Sequence, residues 1–88
     1  MKAGTVAARL DFRPAFFDFA TSTIYLSRHA DGRLAATHRP DGLPDAVVTS
    51  RSPSGEVLAL KGSLVAGFER TGFFFPRPAA ARAAAEWA

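Results

Sequence analysis

Apolar and polar side chains alternate with a period of two in residues 21–28 and 33–38, which is typical of half-buried β-strands. Residues 21–28 (TSTIYLSR) place Ile24 and Leu26 on one face, with aromatic and polar side chains on the other. β-Branched and aromatic residues favour strands, so this segment predicts the first strand. The Asp-Gly pair at 31–32 predicts a turn, after which we expect residues 33–38 to return as a second strand.

The clearest hairpin signal lies in the middle of the chain. Residues 46–51 and 56–61 flank Ser52-Pro53-Ser54-Gly55, where proline in the second position and glycine in the fourth fit a type I turn. The preceding segment, residues 39–45 (RPDGLPD), holds two prolines and a glycine and predicts a loop. These segments together predict a small antiparallel sheet of about four strands.

Two interpretations fit the segment that follows this hairpin. In one, a short helix covers Ser63–Thr71, with serine as its N-cap and a glycine just beyond its end. In the other, Glu69–Gly72 form the turn of a hairpin in which Phe68 pairs with Phe73. We favour the helix, followed by an extended Phe73–Phe75.

The C-terminal residues predict an alanine-rich helix. Pro78 is placed to occupy its first position, and the helix runs to Trp87. At a helical period, one face carries Ala80, Ala83, Ala84 and Trp87, and the other carries an i, i+4 pair formed by Arg82 and Glu86. We expect the apolar stripe to dock this helix on one face of the sheet.

The N-terminal residues have no settled period. We expect residues 1–15 to form a mobile arm, with a weak first strand as the alternative, and residues 16–88 to form a single small α+β domain. The domain begins there because Phe16, Phe17 and Phe19 are too apolar to leave in water. Charged residues interrupt the apolar run near the N-terminus, so we expect no cleavable signal peptide.

Composition narrows the class of protein. The chain has 88 residues, of which 48% are hydrophobic and 22% charged, with no cysteine. These values favour one soluble domain, expected in the cytoplasm, over a disordered, membrane-spanning or disulfide-linked protein. The net charge of +3 is spread over both halves, which disfavours a concentrated nucleic-acid patch. Nine arginines against two lysines, with eighteen alanines, suggest a GC-rich bacterial genome.

Signals for catalysis, metals and cofactors are weak, and we expect none of the three. A metal site drawn from His29, Asp31 and His38 would use residues at predicted turns, where polar side chains occur for other reasons. The carboxylates are scattered singly, and no nucleophile motif is present. Glycines 62, 67 and 72 match neither the dinucleotide fingerprint nor the Walker loop, so we interpret them as turn and cap residues.

The most unusual stretch is residues 67–82 (GFERTGFFFPRPAAAR), which interleaves phenylalanine with arginine. Aromatic side chains flanked by arginine can stack nucleobases and hold phosphates. We favour core packing over this role, with Phe73 and Phe75 pointing into the core and Phe74 to the other face. The candidate binding surface predicted from this stretch consists of Arg70, Phe74, Arg77 and Arg82.

The same stretch resembles a group of short bacterial proteins, often found on mobile elements, that share the pattern Gly-Phe-x-Arg-x-Gly-Phe-Phe before an alanine-rich helix. The matching positions here are Gly67, Phe68, Arg70, Gly72, Phe73, Phe74, Arg77 and Arg82, with Asp31-Gly32 and residues 41–45 upstream. The resemblance covers about residues 18–87 and implies no activity, because that group has none assigned. The order of strands before one alanine-rich helix is also similar to AP2-type and integrase-arm DNA-binding domains, in architecture alone.

The function that follows is a non-catalytic interaction module that contacts protein through an aromatic sheet face. The alternative is a nucleic-acid-binding domain that uses Arg70, Phe74, Arg77 and Arg82. Several strands carry apolar residues on both faces, and one short helix covers only one face of a sheet. The second face must then be closed by the Phe16–Phe19 segment, by curling of the sheet into a small barrel, or by another chain. We expect a protein partner, with a symmetric homodimer as the favoured case.

Overall fold

The structure is a computed structural model that describes residues 12–87, apart from the side chains of Ala84, Glu86 and Trp87. It confirms an α+β fold with antiparallel strands and a C-terminal helix. The elements are β1 (Arg13–Asp18), β2 (Thr23–Leu26), β3 (Val48–Arg51), β4 (Val57–Leu60), β5 (Leu64–Arg70), β6 (Phe73–Pro76) and α1 (Arg77–Trp87). One 3-10 turn, Asp45–Val47, precedes β3.

The strands form two sheets. The larger sheet has four strands in the order β2-β1-β5-β6, and β3 pairs with β4 in a separate two-stranded sheet. β1 lies in the middle of the larger sheet, where Phe16 is opposite Tyr25 on one side and Ala66 on the other. The domain boundary expected at residue 16 therefore falls inside β1, and Phe12 is already buried. The rest of the expected arm, residues 1–11, lies outside the described residues.

Alternation along the strands gives the larger sheet two faces. We call the side that carries Phe16 the inner face and the side that carries Phe17 the outer face. The inner face holds the core, in which Phe16 packs with buried Leu43 and Val47. Partly buried apolar side chains surround this core, among them Tyr25, Val48, Leu60, Leu64 and Ala66. The smaller sheet and the loop before it thus cover the inner face.

The helix expected over Ser63–Thr71 is wrong, because Leu64–Arg70 form β5 and Thr71 begins a tight turn. Thr71 and Gly72 both have positive φ, 51° and 87°, and Arg70 is opposite Phe73. Two positive φ values identify a type I′ turn, whose twist suits a hairpin. The hairpin alternative is correct in kind, but its turn is shorter and Phe68 pairs with Phe75. Pairing with both β1 and β6 outweighs the local helical pattern.

The strand expected over residues 33–38 is also wrong. A single bridge, Arg28 to Leu34, is all the pairing it makes among the described residues. The buried hydroxyl of Ser27 serves this loop instead: it donates to the carbonyl of Thr37 at 2.8 Å and accepts the N–H of Arg39 at 2.7 Å. These bonds satisfy backbone groups that a ladder would otherwise pair.

The predicted turn at Ser52–Gly55 and the predicted C-terminal helix are both present. The turn at Ser52 to Gly55 closes with a 2.9 Å bond from the Gly55 N–H to the Ser52 carbonyl, and β3 and β4 flank it. The C-terminal helix packs against β5 and β6 and buries Ala80. The Arg82–Glu86 pair and two members of the apolar stripe involve side chains outside the described set. No helix in the described part of the chain is long and apolar enough to cross a membrane.

Candidate functional site

The outer face of the larger sheet is apolar. It carries Phe17 from β1, Ile24 and Leu26 from β2, Val65 from β5 and Phe74 from β6. Val65 is 38% exposed although β5 is an interior strand, and the other four side chains are half-buried. The alternation of β1, β2 and β5 thus groups apolar side chains on the side opposite Phe16, where Ala15 is fully buried and Val65 is exposed.

A glycine shapes this surface. The ring of Phe74 lies over Gly67 and stacks with Phe17, with centroids 5.2 Å apart and planes 21° apart. A Cβ on Gly67 would lie 2.5 Å from the carbonyl oxygen of Phe75, and closer still to the ring of Phe74. The interpretation of Gly67 as a turn or cap residue is therefore wrong. It is a buried strand residue that lets an aromatic ring approach the backbone.

The charges on the outer face neutralise each other. Arg13 Nε donates to Oε1 of Glu69 at 2.9 Å, and the Gly72 N–H donates to Oε2 at 2.9 Å. The bond from Arg13 lowers the pKa of Glu69, whose side chain is largely buried. Among the described strand residues of this face, these are the only charged ones. The outer face therefore offers an apolar surface with a neutral ion pair at one end.

The predicted surface of Arg70, Phe74, Arg77 and Arg82 is divided by the sheet. Arg70 lies on the inner side, where its guanidinium is 5.7 Å from the centroid of the Phe12 ring. Phe74 lies on the outer face. The exposed aromatic next to Arg70 is Phe73, which is directly opposite it across the turn and 69% exposed. The expectation that Phe73 points into the core is wrong, because the short hairpin extends beyond what covers that face.

Arg77 and Arg82 lie on α1, and Arg77 contacts a histidine of the inner face. Nη2 of Arg77 is 3.5 Å from Nδ1 of His38, and Nε2–H of His38 donates to the Gly67 carbonyl at 2.6 Å. The histidine ring makes edge contacts with Phe16 and Phe68, at centroid distances of 5.6 and 5.2 Å. These partners assign the proton to Nε2. His38 therefore links the loop, the sheet and the start of the helix, while Arg82 is exposed.

Two of the three residues considered for a metal site, Asp31 and His38, bind other groups of the protein. Asp31 accepts bonds from the backbone N–H and the guanidinium of Arg33, and these lower its pKa. His38 is engaged between aromatic rings. Within residues 12–87, no group of three or more His, Cys, Asp or Glu side chains is placed to hold a metal ion.

The sequence did not predict the role of one buried carboxylate, Asp18. Asp18 is 1% exposed and accepts bonds from Lys61 Nζ at 2.9 Å and from the Ala20 N–H at 3.0 Å. The bond from Lys61 is the main cause that lowers the pKa of Asp18 to about 2. The two residues are 43 positions apart in the chain, so no local pattern marks the pair. It joins the end of β1 to the connection between β4 and β5.

Three comparisons with known proteins gave no match. No protein-family model matches the chain, and neither a curated protein nor a solved structure matches it.

Proposed function

We propose that this protein is a non-catalytic interaction module of the bacterial cytoplasm that binds protein through the outer face of its larger sheet. Its first partner is a second copy of the chain, in a symmetric dimer. The observation that carries the proposal is the cluster of apolar side chains on the outer face, of which Val65 is 38% exposed although it lies on an interior strand. A contiguous apolar surface on a small domain is typical of an interaction site.

Self-association suits this surface because a two-fold dimer brings the same patch together from both subunits. An apolar patch is complementary to a second copy of itself. Val65 lies opposite Phe17 on the neighbouring strand, with the Phe17–Phe74 stack beside it. The charges at the edge of the patch, Arg13 and Glu69, are already bonded to each other, so pairing two patches leaves no charge without a partner.

Analytical ultracentrifugation tests this proposal. We expect wild-type protein to show a monomer–dimer equilibrium across a dilution series. Val65→Glu places an unpaired carboxylate at the interface and is expected to weaken dimerisation by at least about tenfold. The matched control is Leu58→Glu, which changes a 62% exposed apolar residue on β4 of the other sheet and should leave the equilibrium unchanged. A monomer at every concentration, or equal weakening by both variants, would contradict the proposal.

A second candidate, nucleic-acid binding, is favoured by one observation. Phe73, at 69% exposure, stands directly opposite Arg70 at the hairpin turn, so a base stacked on its ring would have a guanidinium nearby. The stacking ring in this nucleic-acid surface is Phe73, whereas the sequence predicted Phe74. Labelled single-stranded DNA and RNA test it: we expect affinity to fall steeply between low and moderate salt and to fall again in Phe73→Ala. The control is Phe19→Ala, which removes an exposed ring on another loop. No binding at low salt removes this candidate.

A further inference from the structure

The outward edge of β2 has backbone groups that no strand pairs among the described residues. The Ser27 N–H donates to the Pro14 carbonyl of β1 at 2.9 Å, so this N–H points towards β1, whereas the Ser27 carbonyl accepts the Ala35 N–H at 2.9 Å. The direction of the backbone N–H and C=O groups alternates along a strand, so those of Tyr25 also point towards β1. Those of Ile24 and Leu26 point away from β1. β2 is an end strand of the larger sheet. The N–H and C=O groups of these two residues therefore point outward from the sheet.

A cavity of about 290 Å³ lies along this edge. Three consecutive residues, Ile24, Tyr25 and Leu26, line it, although neighbouring side chains on a strand point to opposite faces. The cavity therefore meets the backbone edge of β2 and not just one of its faces. Gly42, Leu43 and Pro44 form the opposite wall, so the cavity is a groove between a strand edge and a loop.

The loop wall is held in place at both ends. The Gly42 N–H donates to the Arg28 carbonyl at 3.1 Å, and Leu43 is buried in the core against Phe16. A Cβ on Gly42 would lie 2.6 Å from the Cβ of Arg28 and 2.6 Å from the carbonyl oxygen of His29. Only glycine allows the loop to come this close, and the approach closes the groove beyond Leu26. An added strand is therefore limited to a few residues.

The groove carries one charged residue, Arg28. Its Nη1 donates to the Gly32 carbonyl at 2.7 Å, which orients the guanidinium, and the residue is exposed. A guanidinium has five N–H donors, so donors beyond this bond are available to an acceptor. The remaining lining residues are apolar or glycine apart from the phenol of Tyr25. The site thus combines backbone donors and acceptors, apolar walls and one cation.

We propose that this groove binds an extended, acidic peptide segment of a partner protein by adding it as a short strand to β2. The peptide backbone pairs with Ile24 and Leu26, an apolar side chain enters the cavity, and a carboxylate faces Arg28. Strand addition of this kind derives affinity from the backbone and selectivity from side-chain pockets. The cavity volume is at the lower limit of the roughly 300–1,000 Å³ of small-molecule sites, which suits part of a peptide.

A second copy of the chain is a poorer occupant of this edge. Two folded copies joined at β2 would each bring a Gly42–Pro44 wall to the same seam, whereas a single extended chain fits between one edge and one wall. This site lies at the edge of the sheet and goes beyond the proposed dimer, which uses the outer face. Ile24 and Leu26 present side chains to the outer face and backbone groups to this edge, so the Val65→Glu variant is used to separate the two inferences.

Peptide selection tests the groove. Phage displaying fully randomised heptapeptides are selected on the immobilised wild-type protein, and an enriched peptide is synthesised with a fluorescent label. We expect enriched sequences to combine apolar residues with Asp or Glu. Arg28→Ala should weaken anisotropy-monitored binding by about tenfold or more, as loss of a charge-assisted hydrogen bond implies. Arg82→Ala, which removes an exposed arginine outside the groove, should bind as wild type. Absence of enrichment, or equal affinity of Arg28→Ala, would overturn the proposal.

Amide hydrogen exchange then locates the peptide. In the free protein we expect the amides of Ile24 and Leu26 to exchange faster than those of Tyr25 and Ser27. Saturating peptide should slow exchange at Ile24 and Leu26. Protection of these amides without peptide in the Val65→Glu variant, increasing with protein concentration, would assign the edge to a second copy and overturn the proposal, as would unchanged exchange with peptide. Val65→Glu should bind the peptide normally, which separates this result from failure of the outer-face dimer.

Discussion

Replacement of Gly67 by alanine distinguishes a tertiary constraint from a local propensity. Alanine normally stabilises a strand relative to glycine by about 0.4–1 kcal/mol, because it restricts the unfolded chain. The backbone at Gly67 is not in the left-handed region, so alanine meets no conformational penalty there. Local propensity therefore predicts that Gly67→Ala is stabilising.

The surroundings of Gly67 predict the opposite sign. Its new Cβ would lie 2.5 Å from the Phe75 carbonyl oxygen, a backbone atom that moves only if β6 shifts. The Phe74 ring would have to leave its stack with Phe17, a contact worth about 0.5–1.5 kcal/mol. Overpacking of this kind costs about 1–3 kcal/mol. We expect a net destabilisation of about 1–2 kcal/mol, after subtraction of the propensity gain.

Urea unfolding followed by circular dichroism measures the free energy of unfolding, and thermal unfolding measures the corresponding Tm. A loss of this size lowers the Tm by roughly 4–16 °C in a domain of this length. The control is Gly62→Ala, where a Cβ meets no atom within 4 Å and φ is not positive, so stability should be unchanged or slightly higher. In Gly67→Ala combined with Phe74→Leu, recovery should be partial, since the carbonyl contact remains. A Gly67→Ala protein as stable as wild type would refute the argument.

Three further predictions concern stability. The pKa of Asp18 is lowered from 3.8 to about 2 in the folded protein, so the unfolded chain binds more protons between these values. Stability should therefore fall as the pH drops through this window, and urea midpoints should show a weaker dependence in Asp18→Asn; an equal dependence would contradict the assignment. His38→Ala removes the bond to the β5 carbonyl and two ring contacts, and we expect a loss of about 1–3 kcal/mol in urea unfolding, with an unchanged midpoint as the contrary result. Phe16→Ala, in the core, should cost about 3–5 kcal/mol, and Phe74→Ala on the outer face clearly less; equal losses would place both rings in the core.

The sequence predicts which residue types the candidate site contains, but not how they are arranged on the sheet. The stretch 67–82 is aromatic and basic, but the four residues that the sequence predicts as a binding surface lie on different sides of the sheet. Arg70 and Phe74 are four positions apart, which suits one face of a helix and also one face of a strand. The type I′ turn at Thr71-Gly72 lies between them and reverses the chain. Arg70 pairs with Phe73, so the next residue, Phe74, points to the opposite side.

Sequence by itself determined the features that arise from local chemistry. The α+β class, the β-branched strand around Ile24, the turn closed by Gly55 and the start of a helix beside Pro78 all follow from residue preferences over a few positions. Each depends on backbone torsions or on a period that neighbouring residues establish without help from the rest of the fold.

Tertiary structure decided everything that depends on partners distant in the chain. β1 became a central strand because it pairs with β5, about fifty residues away, and that pairing made residues 64–70 a strand in place of a helix. The buried Asp18–Lys61 pair, the loop held by Ser27 and the close approach at Gly67 arise in the same way. Burial and pairing across the sheet contribute more free energy than the small differences in local propensity, so they choose among the conformations that the local sequence allows.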